Sequence, residues 1–243
     1  MTKRERMLCA LNNERPDRLP CQVHGWMQYY LDRYLDGMDW WDAYARFDMD
    51  YAIYVNPRYI YDEGDLANWK VEHLSSKEDS YGNRNEMLAI HTPKGSLRTI
   101  RVHTPITTYS TRYLLKDEAD FEIWNAYYPV PTGVDFTPIQ EVKDRLGDNG
   151  IIRSHPFSPG QGSPWQSLCT LFGTQKSILM GMDEPELLHH MLAGILEKTL
   201  RVSEMWVGTP ADMVEVGGGA GSSTVISPAF YTEFGLPYDQ RQN

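Results

Sequence analysis

Residues 212–238, DMVEVGGGAGSSTVISPAFYTEFGLPY, constrain the local topology of this chain more tightly than any other stretch. Met213, Val214 and Val216 make a short apolar run that reads as a buried strand. Gly217, Gly218 and Gly219 then let the backbone turn without side-chain clashes. Ser227-Pro228 reads as a helix N-cap followed by proline at the first helical position. Strand, loop and helix in this order belong to an α/β fold, where chemistry usually sits in the loop at the carboxyl end of a strand. Glu215 and the glycines after it are therefore candidate site residues, set against the plain alternative of an ordinary βα turn.

The rest of the chain repeats that rhythm. Thr2 and Glu5 have the spacing of a capping box for an N-terminal helix, which ends before Pro16. Residues 19–25, LPCQVHG, read as a first strand with His24 at its end. Tyr and Trp at helical spacing between 28 and 46 predict two helices parted by Gly37. FDMDYAIYV, residues 47–55, reads as a second strand with Asp48 and Asp50 at its amino end. IIRSHPF, residues 151–157, reads as a third strand, with Arg153 and His155 on one face, and the Met213 run is a fourth. Residues 69–111 break the rhythm with extended runs and turn signals, predicting a β-hairpin insertion. Its His91, His103, Arg98 and Arg101 suit either a solvated face of mixed charge or a lid over a substrate. The long loop before Trp165 is a candidate binding loop. Adjacent His189 and His190 point about 100° apart on a helix, which argues against a shared metal.

Composition bounds the function. The 243 residues carry a net charge of −10, which argues against nucleic acid or an anionic membrane as partner. No apolar run is long enough to span a bilayer and the amino terminus has no signal-like core, so a cytoplasmic location is expected. Cys9, Cys21 and Cys169 are widely spaced and form neither a disulfide framework nor a zinc motif.

The ordered set of TKRERMLCALNNERPDRLPCQVHG, FDMDYAIYV, GSPWQSLCTLFG with MDEPELLHHML, and VEVGGGAGSSTVISPAFYTEFGLPYD resembles the uroporphyrinogen decarboxylase family. That family includes the decarboxylases of haem synthesis and corrinoid-dependent and coenzyme M methyltransferases. The resemblance spans nearly the whole chain but stops well short of the family's usual extent. It implies a single TIM (β/α)8-barrel domain over residues 1–243, truncated after about four parallel strands, with the insertion at 69–111. It also implies a site opening at the carboxyl ends of the strands. By resemblance, Asp50, with Asp48 as the alternative, matches the family's aspartate at the second strand and Glu215 its glutamate at the fourth.

The chain departs from the decarboxylases in HGWMQYYLDRY, where their paired arginines are missing, in Thr170 where they carry tyrosine, and in Val216 where they carry serine. The methyltransferase branch resembles it better. The expected activity is thus methyl transfer involving a methyl-corrinoid or a small methylated substrate. Uroporphyrinogen decarboxylation on a tetrapyrrole is the alternative, and a non-catalytic fragment or binding subunit needing a partner the second. His24, Asp50, His155 and Glu215 are the candidate catalytic residues, and Gly217, Gly218, Gly219 and Trp165 the candidate cofactor-binding ones. Corrinoid and zinc follow from the resemblance alone, as do a corrinoid protein partner and a homo-oligomer; no metal ligand is assigned in this chain.

Overall fold

The computed structural model describes residues 1–158 and 162–242. In chain order the elements are α1 (Lys3–Leu11), α2 (Gln28–Tyr34), α3 (Trp40–Arg46), β1 (Tyr51–Tyr54), β2 (Arg58–Ile60), α4 (Glu63–Ala67), β3 (Lys70–Glu78), β4 (Arg84–Thr92), β5 (Gly95–His103), β6 (Thr108–Arg112), α5 (Glu118–Tyr127), β7 (Gly133–Asp135), α6 (Thr137–Leu146), β8 (Gly150–Ser154), α7 (Pro164–Phe172), α8 (Thr174–Asp183), α9 (Pro185–Ser203), β9 (Met213–Val214), α10 (Pro228–Phe234) and α11 (Leu236–Gln242). This is a mixed α/β chain with parallel strands. Two compact units divide it: Met1–Arg58, Asp135–Ser154 and Gly208–Glu215 in the first, and Tyr59–Val134, His155–Val207 and Val216–Asn243 in the second.

In the first unit β1, β8 and β9 form a parallel sheet with β8 in the centre. Tyr51 to Tyr54 pair with Gly150 to Arg153, and Arg153 and Ser154 pair with Met213 and Val214. Ile151 and Ile152 are fully buried, as an apolar run in a central parallel strand requires. Met7 and Leu8 of α1 pack on Ala52 and Ile151. The capping box is present: Thr2 Oγ1 accepts from the Glu5 N–H, and the Glu5 carboxylate from the Thr2 N–H.

Residues 19–25, expected as the first strand, lie outside every strand, and among the described residues the sheet that holds the other three expected strands is β1, β8 and β9. Pro20 has no N–H to offer a ladder, and the Cys21 N–H goes to the Asp50 carboxylate rather than to a strand carbonyl. Leu19 is 85% exposed, so no apolar face drives the segment into the sheet.

Asp212, one residue before β9, ties this sheet to its surroundings. Arg4 of α1 grips it at 2.5 and 2.7 Å, Lys143 of α6 at 3.1 Å, and the Ile152 N–H at 2.9 Å. Burial is the largest single influence and pushes the Asp212 pKa upward, but the Arg4, Ile152 and Lys143 hydrogen bonds together hold it below the usual carboxylate value.

In the second unit β3, β4, β5 and β6 form an antiparallel sheet in sequence order. The core gathers Phe121 and Trp124 of α5, Trp165, Leu168 and Phe172 of α7, and Leu188, Met191 and Ile195 of α9. The apolar run after Trp165 forms two helices, α7 and α8. Gly173 breaks it with φ of 94°, and a side chain there would collide with the Tyr113 ring. Ser227 caps α10 by accepting from the Phe230 N–H, with Pro228 at the first helical position.

Gly150 faces the Tyr51 backbone so closely that any Cβ would collide with its carbonyl. Gly150→Ala is expected to cost about 1–3 kcal/mol, read as a lowered urea midpoint. Because the folded-state pKa of Asp212 lies below its unfolded value, its contribution is present above the ordinary carboxylate pKa and is lost as pH falls through the folded value. Acid titration of stability should therefore show a shallower loss in Asp212→Asn than in the wild type, and equal slopes would refute this.

Candidate functional site

The carboxyl end of the parallel sheet carries the richest side-chain constellation of the first unit. Arg153, the fourth residue of β8, is 6% exposed, and a guanidinium so buried needs partners. Its Nη1 donates to Glu215 Oε1 at 2.7 Å. Both terminal nitrogens reach His24 Nδ1 at 3.3 Å, and Nη2 also donates to the His24 carbonyl. The guanidinium lies over the Tyr54 ring, 5.4 Å from its centroid. Glu215 reaches this position because its N–H donates to the Ser154 carbonyl at 2.8 Å, extending the β8–β9 pairing by one residue.

Arginine only donates, so His24 Nδ1 must accept, which places the imidazole N–H on Nε2. Glu215 Oε1 is held by Arg153 while its carboxyl group stays half-exposed. Beside them lies a cleft of about 170 Å³ walled by His24, Trp26, Trp40, Tyr44 and Tyr54. Trp26 and Trp40 each meet the Tyr44 ring edge-on, at 6.1 and 6.4 Å. Trp26 Nε1 and Arg153 Nε are buried donors without a protein partner among the described residues. Burial is the main cause of a raised Tyr44 pKa, which keeps its phenol neutral. The arrangement thus offers one half-exposed carboxylate, one imidazole donor and electron-rich aromatic walls.

Asp50 sits elsewhere. It immediately precedes β1, at the amino end of the sheet, and is fully buried. Its carboxylate accepts from Arg6 at 2.6 Å, from Arg18 at 2.8 and 3.3 Å and from the Cys21 N–H at 2.8 Å, and its own N–H donates to the Cys21 carbonyl. Arg6 also grips Asp17 at 2.7 and 2.9 Å. The Asp17 hydrogen bond leads in raising the Arg6 pKa, and the same bond depresses that of Asp17. Asp48 pairs with Lys3 at 2.7 Å in an exposed position.

The remaining candidates belong to the second unit. His155 follows β8 directly and is half-buried. Trp165 is 1% exposed; its Nε1 donates to the Ala220 carbonyl at 2.8 Å while Gln166 Oε1 accepts from the Ala220 N–H at 2.9 Å. These two residues hold the glycine loop onto α7. Gly217 has φ of 123°, and a side chain at Gly218 would collide with Gln166, so the loop needs glycine at both positions. His189 bonds the Tyr238 hydroxyl and His190 pairs with Glu122, so the two imidazoles have separate partners.

Of the four candidate catalytic residues, the structure joins His24 to Glu215 through Arg153. Arg153, which joins them, is the residue that residue-type reasoning left out of the candidate set. The available signal was a charge inside the apolar run IIRSHPF, since a buried arginine implies a carboxylate nearby. Zinc has no fitting donor set: Cys9 and Cys169 are buried free thiols, Cys21 is an exposed one, and among the described residues no three His, Cys, Asp or Glu side chains could hold a metal. Desolvation pushes the Cys169 thiol up to about 12, opposite to the shift a metal-binding or nucleophilic thiol needs.

No family model matches the sequence, and no curated protein matches it. Among solved structures, a methyltransferase from Methanosarcina mazei is similar, with a TM-score of 0.52 at 13% identity. The match covers 96% of this chain and 64% of that chain, so this chain spans less than two thirds of that protein. At such identity the likeness shows a shared fold. Among the described residues no helix is long and apolar enough to cross a membrane.

Asp50→Ala is expected to cost up to about 3–5 kcal/mol, because it removes one of the two carboxylates that pair the buried Arg6 and leaves the Cys21 N–H without its acceptor, whereas Asp48→Ala should leave the urea transition nearly in place. Equal midpoints for the two variants would remove Asp50 from its structural role.

Proposed function

We propose that this chain is a methyltransferase-like enzyme on a partial barrel of the uroporphyrinogen decarboxylase type, with a small methylated compound as its substrate. The observation that carries the reading is the Arg153 hub, which joins His24 and Glu215 at the carboxyl end of the parallel sheet beside an aromatic cleft. In α/β folds that end is the functional one and the opposite end serves stability. The fold shared with a methyltransferase is consistent with it. The cleft, at about 170 Å³, is smaller than the roughly 300–1,000 Å³ of pockets for drug-sized ligands, which favours a small methylated group over a corrinoid ring at this position. A cytoplasmic setting accords with the three free cysteines.

In this mechanism the bond from the methyl carbon to its donor heteroatom breaks as the bond to the acceptor's lone pair forms. The acceptor's proton passes to Glu215, whose Oε1 is fixed by Arg153 and whose Oε2 receives it. The Nε2–H of His24 donates to the leaving heteroatom or to an acceptor group on the substrate. Trp26, Trp40, Tyr44 and Tyr54 exclude water and present electron-rich faces to a methyl group carrying partial positive charge. Arg153 acts as a positioning residue, and Asp50 as the brace at the other end of β1. No step runs through a metal.

The test is methyl transfer from small methylated donors to a thiol acceptor, with the product followed by mass spectrometry. Glu215→Gln should lower kcat on the order of 10²–10⁴-fold with little change in KM. Arg153→Lys, which keeps charge but loses the fork, should reduce kcat as well. A wild-type kcat in Glu215→Gln would end the assignment.

A further inference from the structure

A second cavity, about 480 Å³ and wholly within the second unit, opens between the antiparallel sheet and α7. We infer that it is a binding site for a small organic oxyanion, carboxylate or phosphate, held at Arg101. The inference is independent of the methyl-transfer reading.

The sheet register puts the polar wall together. Arg101 of β5 pairs directly with Ser110 of β6, and Thr108 lies two residues from Ser110, so all three project from one face. Thr170 and Gln166 of α7, four residues apart on one helical face, line the opposite wall, and Leu114, Cys169 and Leu171 supply an apolar floor. Tyr113 flanks it, its ring pressed against Gly173. None of the lining side chains is acidic, in a chain whose net charge is −10. One cation and the Ser110 hydroxyl, in a lining without carboxylates, suit an anion, while the Thr170 and Thr108 hydroxyls are already bonded to the Gln166 carbonyl and to His103 Nδ1.

The carboxylate nearest to Arg101 by register is already committed. Glu86 stands opposite Arg101 across β4 and β5, but it binds His73 and His103 at 3.1 Å each and lies 3.7 Å from Arg84. The His103 hydrogen bond is the main reason its pKa is depressed, which keeps it ionised and bound to those partners. Thr108 Oγ1 is joined to His103 Nδ1, so the same network orients one wall of the cavity. The Arg101 guanidinium makes no hydrogen bond or ion pair among the described residues, and Ser110 Oγ makes no hydrogen bond among them. A guanidinium with a neighbouring hydroxyl can hold an oxyanion by charge-assisted bonds, while Tyr113 offers a flat surface to the body of the ligand.

The experiment uses the full chain and amide NMR titrations with inorganic phosphate, malonate and, as a neutral control, glycerol. Phosphate, malonate or both should shift the amides of residues 99–114 and 166–174 saturably, and glycerol should not. Arg101→Gln should weaken the anion about tenfold or more and Ser110→Ala by a smaller factor, with thermal melting unchanged. Arg98→Gln, on the same strand but outside the cavity, should bind as the wild type does. Preference for malonate assigns a carboxylate ligand and preference for phosphate a phosphorylated one. The inference is overturned if neither anion binds at millimolar concentration, or if Arg101→Gln binds as tightly as Arg98→Gln.

Discussion

Two aspartates anchored to one helix organise the first unit. Asp50 stands one residue before β1 and Asp212 one residue before β9, and each is gripped by an arginine of α1, Arg6 and Arg4 respectively. Helix α1 therefore cross-links the amino ends of the two outer strands of the sheet, with β8 between them. Buried carboxylates are expensive unless fully paired, and here each accepts from two cationic side chains and one backbone N–H. Such a pair fixes register as well as position, because shifting a strand by one residue would strand a charge in the interior.

The two ends of the sheet differ in what their charged side chains leave exposed. The amino end is saturated with ion pairs. At the carboxyl end Arg153 is just as buried but holds partners that remain partly exposed, His24 and Glu215. A buried guanidinium is a rigid donor fork, so it sets the imidazole tautomer and fixes one carboxylate oxygen without occupying the other. The aromatic side chains next to it turn their rings to the cleft beside that polar pair.

Much of this architecture was legible in the residues. The capping box of α1, the Ser-Pro opening of α10 and the antiparallel runs between 70 and 112 all carry local signals that need no tertiary context. The first expected strand failed because its apolar letters outvoted Pro20, and because nothing local announced that the Asp50 carboxylate would take the Cys21 N–H. Gly173 splitting one helix into two was foreshadowed only by its being glycine; the close approach of Tyr113 makes glycine necessary. In the candidate site, Glu215 and His24 were picked out by their places at the ends of apolar runs, and Arg153, which joins them, was not.

The strand, glycine loop and Ser-Pro helix of residues 212–238 show where the boundary lies. The sequence by itself determined that the backbone turns at Gly217 and that α10 begins at Ser227, because φ preferences and capping are properties of a few neighbouring residues. It also determined a net charge of −10 and a content of three cysteines. Only the tertiary structure decided that Glu215 meets an arginine 62 residues earlier, and that this arginine meets a histidine 129 residues before it. Pairing across such separations is fixed by strand register and burial, which no local pattern encodes.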